Sequence, residues 1–275
     1  PLDGVVRWAV DGLVALHLGA DQARHALEVL TEAARLPLDA AVRRGLRLRA
    51  AEVAARNVGD AEAAIDLLRT ALAAAPGDRE IMEQLAQLLE AGERVPELLV
   101  LRQAQLALAT EIADKLRLRL GVASLVAKIE ERGGRLEALR ANLVDEPGHD
   151  ASIDALASLY ASKAQHGPLT ELLETQAQVL ESKGEQPRAA RLWLRMAAVA
   201  EEETGEPERA IAAHRRVVAL EPNPDSLRAL ARLNAERGQP GLAVPWLESL
   251  LAVTTGGDRV EVLRQLADAH LASNQ

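Results

Sequence analysis

The side chains in this chain that could do acid–base, metal or nucleophilic chemistry are few, and their spacing does not suit it. Its six histidines are His17, His25, His149, His166, His214 and His270. None belongs to a His-Glu-x-x-His, the spacing that puts two imidazoles on one helix face around zinc. Ser124 and Ser158 have no His or Asp at a legible distance, and no Gly-x-Ser-x-Gly elbow exposes a nucleophile. Gly133-Gly134 and Gly256-Gly257 are followed by neither Gly-Lys-Ser nor Gly-x-x-Gly, so they offer no phosphate cradle and read as turn glycines. Glu201, Glu202 and Glu203 form a like-charged run, the mark of a solvated face or a frayed helix end. Cysteine is absent, which excludes disulfides, thiolate nucleophiles and Cys-ligated zinc together. The expectation is a non-enzymatic chain with no metal and no cofactor.

Composition narrows the elements that must carry whatever the chain does. Of 275 residues 48% are hydrophobic, yet the aromatics are only Trp8, Trp193, Trp246 and Tyr160. The core must therefore be built from Leu, Ala and Val, and Ala and Leu lead the helix scale. Asp and Glu number 41 against 32 Lys and Arg, a net charge of −9. Phosphate neutralisation needs the opposite sign, so nucleic acid is not an expected partner. The longest apolar window near the start, Leu13 to Ala20, is eight residues with His17 inside it. A bilayer span needs about 20, so no membrane insertion is expected. The chain begins at Pro1 with no basic region ahead of an apolar one. It reads as a piece of a longer chain and, with no export signal in view, as cytoplasmic.

Self-comparison shows a tandem array. Gly59-Asp60-Ala61-Glu62-Ala63-Ala64-Ile65 runs on to Pro76, and Gly205-Glu206-Pro207-Glu208-Arg209-Ala210-Ile211 runs on to Pro222, each with a Gly-to-Pro distance of 17. A shorter relative runs from Gly133 to Pro147. A second motif recurs as Leu85-Ala86-Gln87-Leu88-Leu89, Leu156-Ala157-Ser158-Leu159-Tyr160 and Leu230-Ala231-Arg232-Leu233. A third, Leu48-Arg49, Leu118-Arg119, Leu194-Arg195 and Leu263-Arg264, recurs at intervals of 70, 76 and 69. Interleaved, these imply a repeat about half that long. Apolar residues at helical spacing between Gly and Pro breaks predict fifteen helices, at 3–18, 21–35, 38–57, 60–74, 78–91, 94–109, 112–131, 134–144, 149–164, 168–182, 186–203, 206–219, 224–237, 240–253 and 258–272.

The pattern Gly-Asp-x-x-x-Ala, a small residue seven positions on, then Pro resembles the second half of the tetratricopeptide repeat motif. Gly59, Ala64, Ala71 and Pro76 fit it; Gly205, Ala210 and Pro222 fit with Val217 at the small position; Ala26, Ala33 and Pro37 keep the spacing near the start. Alanine at a helix crossing lets two backbones approach closely, where leucine would hold them apart. The first half of the family motif prefers Trp, Leu-Gly and Tyr, and here Leu85-Ala86, Leu156-Ala157-x-x-Tyr160 and Leu230-Ala231 stand instead. The resemblance is strong over 59–92 and 205–236 and weak over 94–131 and 165–190. It implies an all-α fold, an α-solenoid with a right-handed superhelix, of about seven stacked antiparallel helix pairs plus a terminal helix, forming a single domain over 1–275. A looser α-solenoid is the structural alternative.

The resemblance also implies a concave groove lined by the first helix of each pair. Its fifth position falls on Arg49, Glu83, Arg119, Asp154, Arg195, Arg228 and Arg264, and its ninth on Val53, Gln87, Ala123, Ser158, Val199 and Arg232. No Asn occupies the ninth position, which disfavours clamping of a chain-terminal carboxylate. The fifth position alternates in sign from Arg49 to Arg195. This admits two readings: an ion ladder between neighbouring helices, or a charge pattern that reads an extended partner, with Arg195, Arg228 and Arg264 attracting an acidic segment. Glu80, Gln87 and Glu90 make the groove acidic near the third repeat, while Arg228 and Arg232 make it basic near the seventh. Trp193, Trp246, Tyr160 and His214 are expected to pack, and Trp8 either caps the array or meets sequence outside it. The expected function is a protein-interaction scaffold binding a protein or peptide segment in the groove. The alternative is a regulatory or sensory helical-repeat arm of a larger enzyme or regulator.

Overall fold

The structure, a computed structural model, describes residues 2–129 and 134–273. Gly133, which opens the shortest glycine–proline copy, lies outside them, as do residues 130 and 131 of the expected seventh helix. Among the described residues all regular structure is helical. The chain divides into two compact units, 1–138 and 139–275. The first contains α1 (Leu2–Gly19), α2 (Ala23–Ala33), α3 (Ala40–Val53), α4 (Ala61–Ala74), α5 (Arg79–Ala91), α6 (Val95–Leu108) and α7 (Ile112–Ile129); the division falls within α8 (Gly134–Asp145). The second contains α9 (Asp150–Ser162), α10 (His166–Ser182), α11 (Gln186–Glu202), α12 (Pro207–Leu220), α13 (Pro224–Glu236), α14 (Pro240–Val253) and α15 (Asp258–Ser273). In each unit the helices pack chiefly on their neighbours in sequence, as a repeat array requires.

Local chemistry sets the helix boundaries. Asp60 Oδ1 accepts from the Ala63 N–H at 2.9 Å and Asn223 Oδ1 from the Ser226 N–H at 2.8 Å, each satisfying an amide the helix leaves open. Pro207, Pro224 and Pro240 stand at first helical positions, where a missing N–H costs nothing. The described turns from odd- to even-numbered helices pass through a left-handed residue: Asp21, Gly59, Glu93, Ala164, Gly205 and Gly238. One departure from the expected helices lies here. The sequence predicts one α-helix through residue 57, but α3 gives way to a π turn at Ala54–Val58. The Asp60 N–H reaches back to the Ala54 carbonyl at 2.9 Å, and in the second copy the Glu206 N–H reaches the Ala200 carbonyl at 2.8 Å. Both turns are wider than an ordinary helix end, and each is closed by a left-handed glycine.

The expected crossing residues are in the core. Ala64 and Ala210 are fully buried, and Ala26, Ala33, Ala71 and Val217 are buried with them. In the first unit Ala64, Ile65 and Leu68 of α4 pack with Ile81, Leu85 and Leu89 of α5. In the second, Ala210 and Ile211 of α12 pack with Leu230 and Leu233 of α13. Trp193 and Tyr160 are buried; Arg140 donates to the Tyr160 hydroxyl at 2.9 Å and the Trp193 indole N–H to Glu181 at 2.5 Å. Trp246 is half-buried under the Arg215 guanidinium. Trp8 remains exposed.

Candidate functional site

An open cleft of about 1290 Å³ lies in the second unit between α13, α14 and α15. Ala231, Ala243, Leu247, Val262 and Ala269 line it and are all buried, giving an apolar floor. Three of these five are alanines, so the side chains leave room that larger residues would fill. Charged side chains form the rim: Asp225, Asp258, Glu261 and Asp268 stand against Arg228 and Arg232. Asn223 and Pro224 start α13 in the register that turns Arg228 and Arg232 to the cleft.

The geometry corrects the expected basic end of the groove. Arg228 pairs with Asp225 at 3.0 Å and lies 3.9 Å from Asp258. Arg232 pairs with Glu201 of α11 and with Glu236 at 3.2 Å. Arg264 pairs with Glu261 at 2.7 Å and with Asp268 at 3.9 Å. Arg195 pairs with Asp154 at 2.6 Å. Every guanidinium of the proposed basic stretch therefore has a carboxylate, and carboxylates outnumber arginines along the cleft. Burial would raise the Glu201 carboxyl, but hydrogen bonds from His214 and Arg232 outweigh it and hold the group below its ordinary range.

The other expected groove residues lie on α3, α5, α7 and α9. Arg49 of α3 pairs with Asp11 of α1 and borders a depression of about 350 Å³ with Arg44 and Glu80. Glu83 of α5 accepts from Arg102 of α6 at 2.8 Å and Gln105 at 3.3 Å, beside a cavity of about 380 Å³. Burial works to raise the Glu83 carboxyl, and the Arg102 guanidinium more than offsets it, so its pKa is lowered. Glu83 thus pairs inside its own hairpin and not with Arg49, as the ladder reading would have it. Arg119 is half-buried on α7. The Asp154–Arg195 step of the ladder does form, joining α9 to α11.

A ladder between alternate helices exists, but mostly on residues the position count did not select. Arg44 of α3 clasps Asp78 at the start of α5 and reaches Glu80 at 2.6 Å. Arg94, at the start of α6, pairs with Glu62 of α4 at 2.7 Å, and Arg69 of α4 with Glu97 of α6. Arg216 of α12 pairs with Glu181 of α10. Solvent around the arginines screens these pairs, so each contributes little.

One constellation joins residues that the sequence keeps apart. His214 Nε2 lies 2.9 Å from Glu201 and Nδ1 3.0 Å from the Ser226 hydroxyl. A carboxylate can only accept, so in the neutral imidazole Nε2 carries the proton and Nδ1 accepts from Ser226. Serine, histidine and glutamate in this order is the arrangement of general-base catalysis. Ser226, however, is fully buried in the first turn of α13, where no substrate carbonyl can reach Oγ. The chain of bonds therefore ties α11, α12 and α13 together. A smaller version joins Asn142 to Ser152 at 2.9 Å and Ser152 to His149 at 2.9 Å. The signal was present in Asn223-Pro224-Asp225-Ser226, a capping sequence, but nothing local ties it to a histidine twelve residues earlier. Among the described residues no group of three or more His, Asp or Glu side chains converges as a metal site would require, and no helix is long and apolar enough to cross a membrane.

No family model matches the chain, and no curated protein does. Solved structures similar to it include a tetratricopeptide repeat protein from Parabacteroides merdae, 13% identical over 96% of this chain and 99% of that one, with a TM-score of 0.43. The C-terminal part of a TPR repeat-containing protein from Cytophaga hutchinsonii is 14% identical over 82% of this chain and 93% of that one, also at 0.43. The P58(IPK) TPR domain is 16% identical over 99% of this chain and 93% of that one, at 0.34. The chain's own features define the fold: left-handed turns at Gly59 and Gly205, buried crossings at Ala64 and Ala210, and helices packed on their sequence neighbours make each unit an all-α array of stacked helix pairs.

Proposed function

We propose that this chain is a non-enzymatic protein-interaction scaffold whose second unit holds a segment of a partner protein in the α13–α15 cleft. The observation that carries this reading is the cleft itself: an apolar floor of Ala231, Ala243, Leu247, Val262 and Ala269 under a charged rim, wide enough at about 1290 Å³ for several side chains. A concave apolar surface with a few placed polar groups is what a binding site offers. Because the rim arginines are paired and carboxylates are in excess, the segment that fits has apolar side chains toward the floor and basic residues at the edge.

Selection of displayed 15-residue random peptides on the immobilised chain tests the reading. Enriched peptides should carry apolar residues flanked by Lys or Arg. Gln265→Trp and Ala235→Trp, both at exposed lining positions, should plug the cleft and weaken those peptides at least tenfold. Enriched peptides indifferent to both substitutions, or no enrichment, would count against it.

A further inference from the structure

The first helix of the chain turns its least polar face away from its own core. Val10 and Val14 of α1 are buried in the unit's core, yet Trp8 is 78% exposed, Val5 64%, Leu16 63% and Leu13 47%. Trp8, Gly12 and Leu16 follow Val5 at i+3, i+7 and i+11, so they share one stripe of the helix. The charged residues of α1 lie off that stripe. Asp11 pairs with Arg49, the Asp39 N–H donates to Asp3 at 3.4 Å, and Arg7 borders the depression beside Arg44. A solvated helix has the reverse arrangement, with its polar face outward.

We propose that this face is a self-association surface, on which α1 of a second copy packs antiparallel about a two-fold axis between Ala9 and Gly12. Three features of the face select a second copy as occupant. The stripe is self-complementary: a large knob, Trp8, sits one turn from a notch at Gly12, where an added Cβ would meet nothing within 4 Å. Antiparallel pairing sets Trp8 beside the second copy's Leu13 and over its Gly12, and Val5 beside the second copy's Leu16, with every contact made twice. The stripe carries no charge, so bringing it against itself creates no like-charge contact. The area also suffices for a reversible dimer. A covered aromatic side chain buries about 150–250 Å², so Trp8 alone supplies on the order of a quarter of the ~800 Å² each partner gives to a standard interface. The 18 residues of α1 extend the contact over roughly 27 Å. A membrane surface fits less well, because Arg7 is the helix's only Lys or Arg and shares it with Asp3 and Asp11.

Sedimentation velocity of the whole chain between 1 and 200 µM, concentrations of about the order a small interface calls for, tests the proposal. The expected result is a monomer–dimer equilibrium whose dissociation constant rises at least tenfold on Trp8→Asp, with helicity and melting temperature of the monomer unchanged because Trp8 lies outside the core. A second arm uses the absence of cysteine. Ala9→Cys should be joined to its mate by a short bis-maleimide. Ala15→Cys, about 14 Å along the axis from its mate at 1.5 Å per residue, should not. A chain monomeric at 200 µM overturns the proposal and assigns the face to a different polypeptide. A dimer indifferent to Trp8→Asp, or equal crosslinking at both cysteines, overturns it as well.

Discussion

His214 Nδ1 and Ser226 Oγ lie 3.0 Å apart in the interior of the second unit, joining α12 to the first turn of α13. The corresponding places in the first unit are held by Leu68 of α4 and Ile81 of α5, both buried in one apolar cluster. The same joint between successive repeats is thus made once with matched polar groups and once with matched apolar ones. Either works, because what a buried joint penalises is a polar group without a partner.

Ser226→Ala should therefore destabilise the chain by about 1–3 kcal/mol, since it leaves Nδ1 buried without a donor. His214→Leu should cost a similar amount by leaving the buried Ser226 hydroxyl without its acceptor, while Glu201 keeps Arg232. The double variant His214→Leu/Ser226→Ala, which leaves no polar group at the joint, as in the first unit, should cost clearly less than the two singles together. Urea unfolding of the four proteins measures this, and strictly additive losses would show that the two residues do not act as a pair.

Asp78 gives the joint between α3 and α5 a pH dependence. The Arg44 guanidinium, aided by the Ile81 and Glu80 amides and opposed by burial, holds its carboxyl down to about 2. A depressed carboxylate stabilises the fold above its unfolded pKa, near 4, and that contribution disappears as pH falls through about 2. Solvent around Arg44 screens the pair, so the loss should be about 1 kcal/mol. Melting temperatures of wild type and Asp78→Asn should converge between pH 4 and pH 2; curves that stay parallel would rule Asp78 out as the titrating group.

Ala164 holds a φ of +50° at the turn between α9 and α10, where Gly238 holds +69° at the turn between α13 and α14. A left-handed conformation costs an L-residue about 1–2 kcal/mol, part of which glycine's larger unfolded-state entropy takes back. Ala164→Gly should stabilise by about 0.5–1 kcal/mol and Gly238→Ala should destabilise by a similar amount. Denaturant midpoints for the pair check both signs.

Core substitutions separate the two kinds of packing in the array. Leu156→Ala opens a cavity at a fully enclosed site and should cost about 2–5 kcal/mol. Ala64→Leu overfills a fully buried helix crossing and should cost about 1–3 kcal/mol. Near-neutral results at both positions would mean that the crossings are looser than the structure has them.

The sequence by itself determined that the chain is helical, where its helices start and stop, and which alanines sit at the crossings. Those features are local: leucine spacing, Asp and Asn caps, Pro at first positions and Gly at left-handed turns act within a few residues. The π turn at Ala54–Val58 was not legible, because its residues are ordinary helix formers and only the closure from Asp60 distinguishes it. Charge pairing between helices was decided by the tertiary structure, whereas pairs within a helix, such as Asp225–Arg228 and Glu261–Arg264, follow the three-residue spacing. Counting positions along idealised helices placed Glu83 between Arg49 and Arg119, left Arg195, Arg228 and Arg264 as a basic end, and added Arg232 beside Arg228. In the fold Glu83 meets Arg102, Arg232 crosses to Glu201, and Arg264 turns to Glu261. An arginine is long and rotates about several bonds, so which carboxylate it meets depends on the distance and register between helices, which no periodicity encodes.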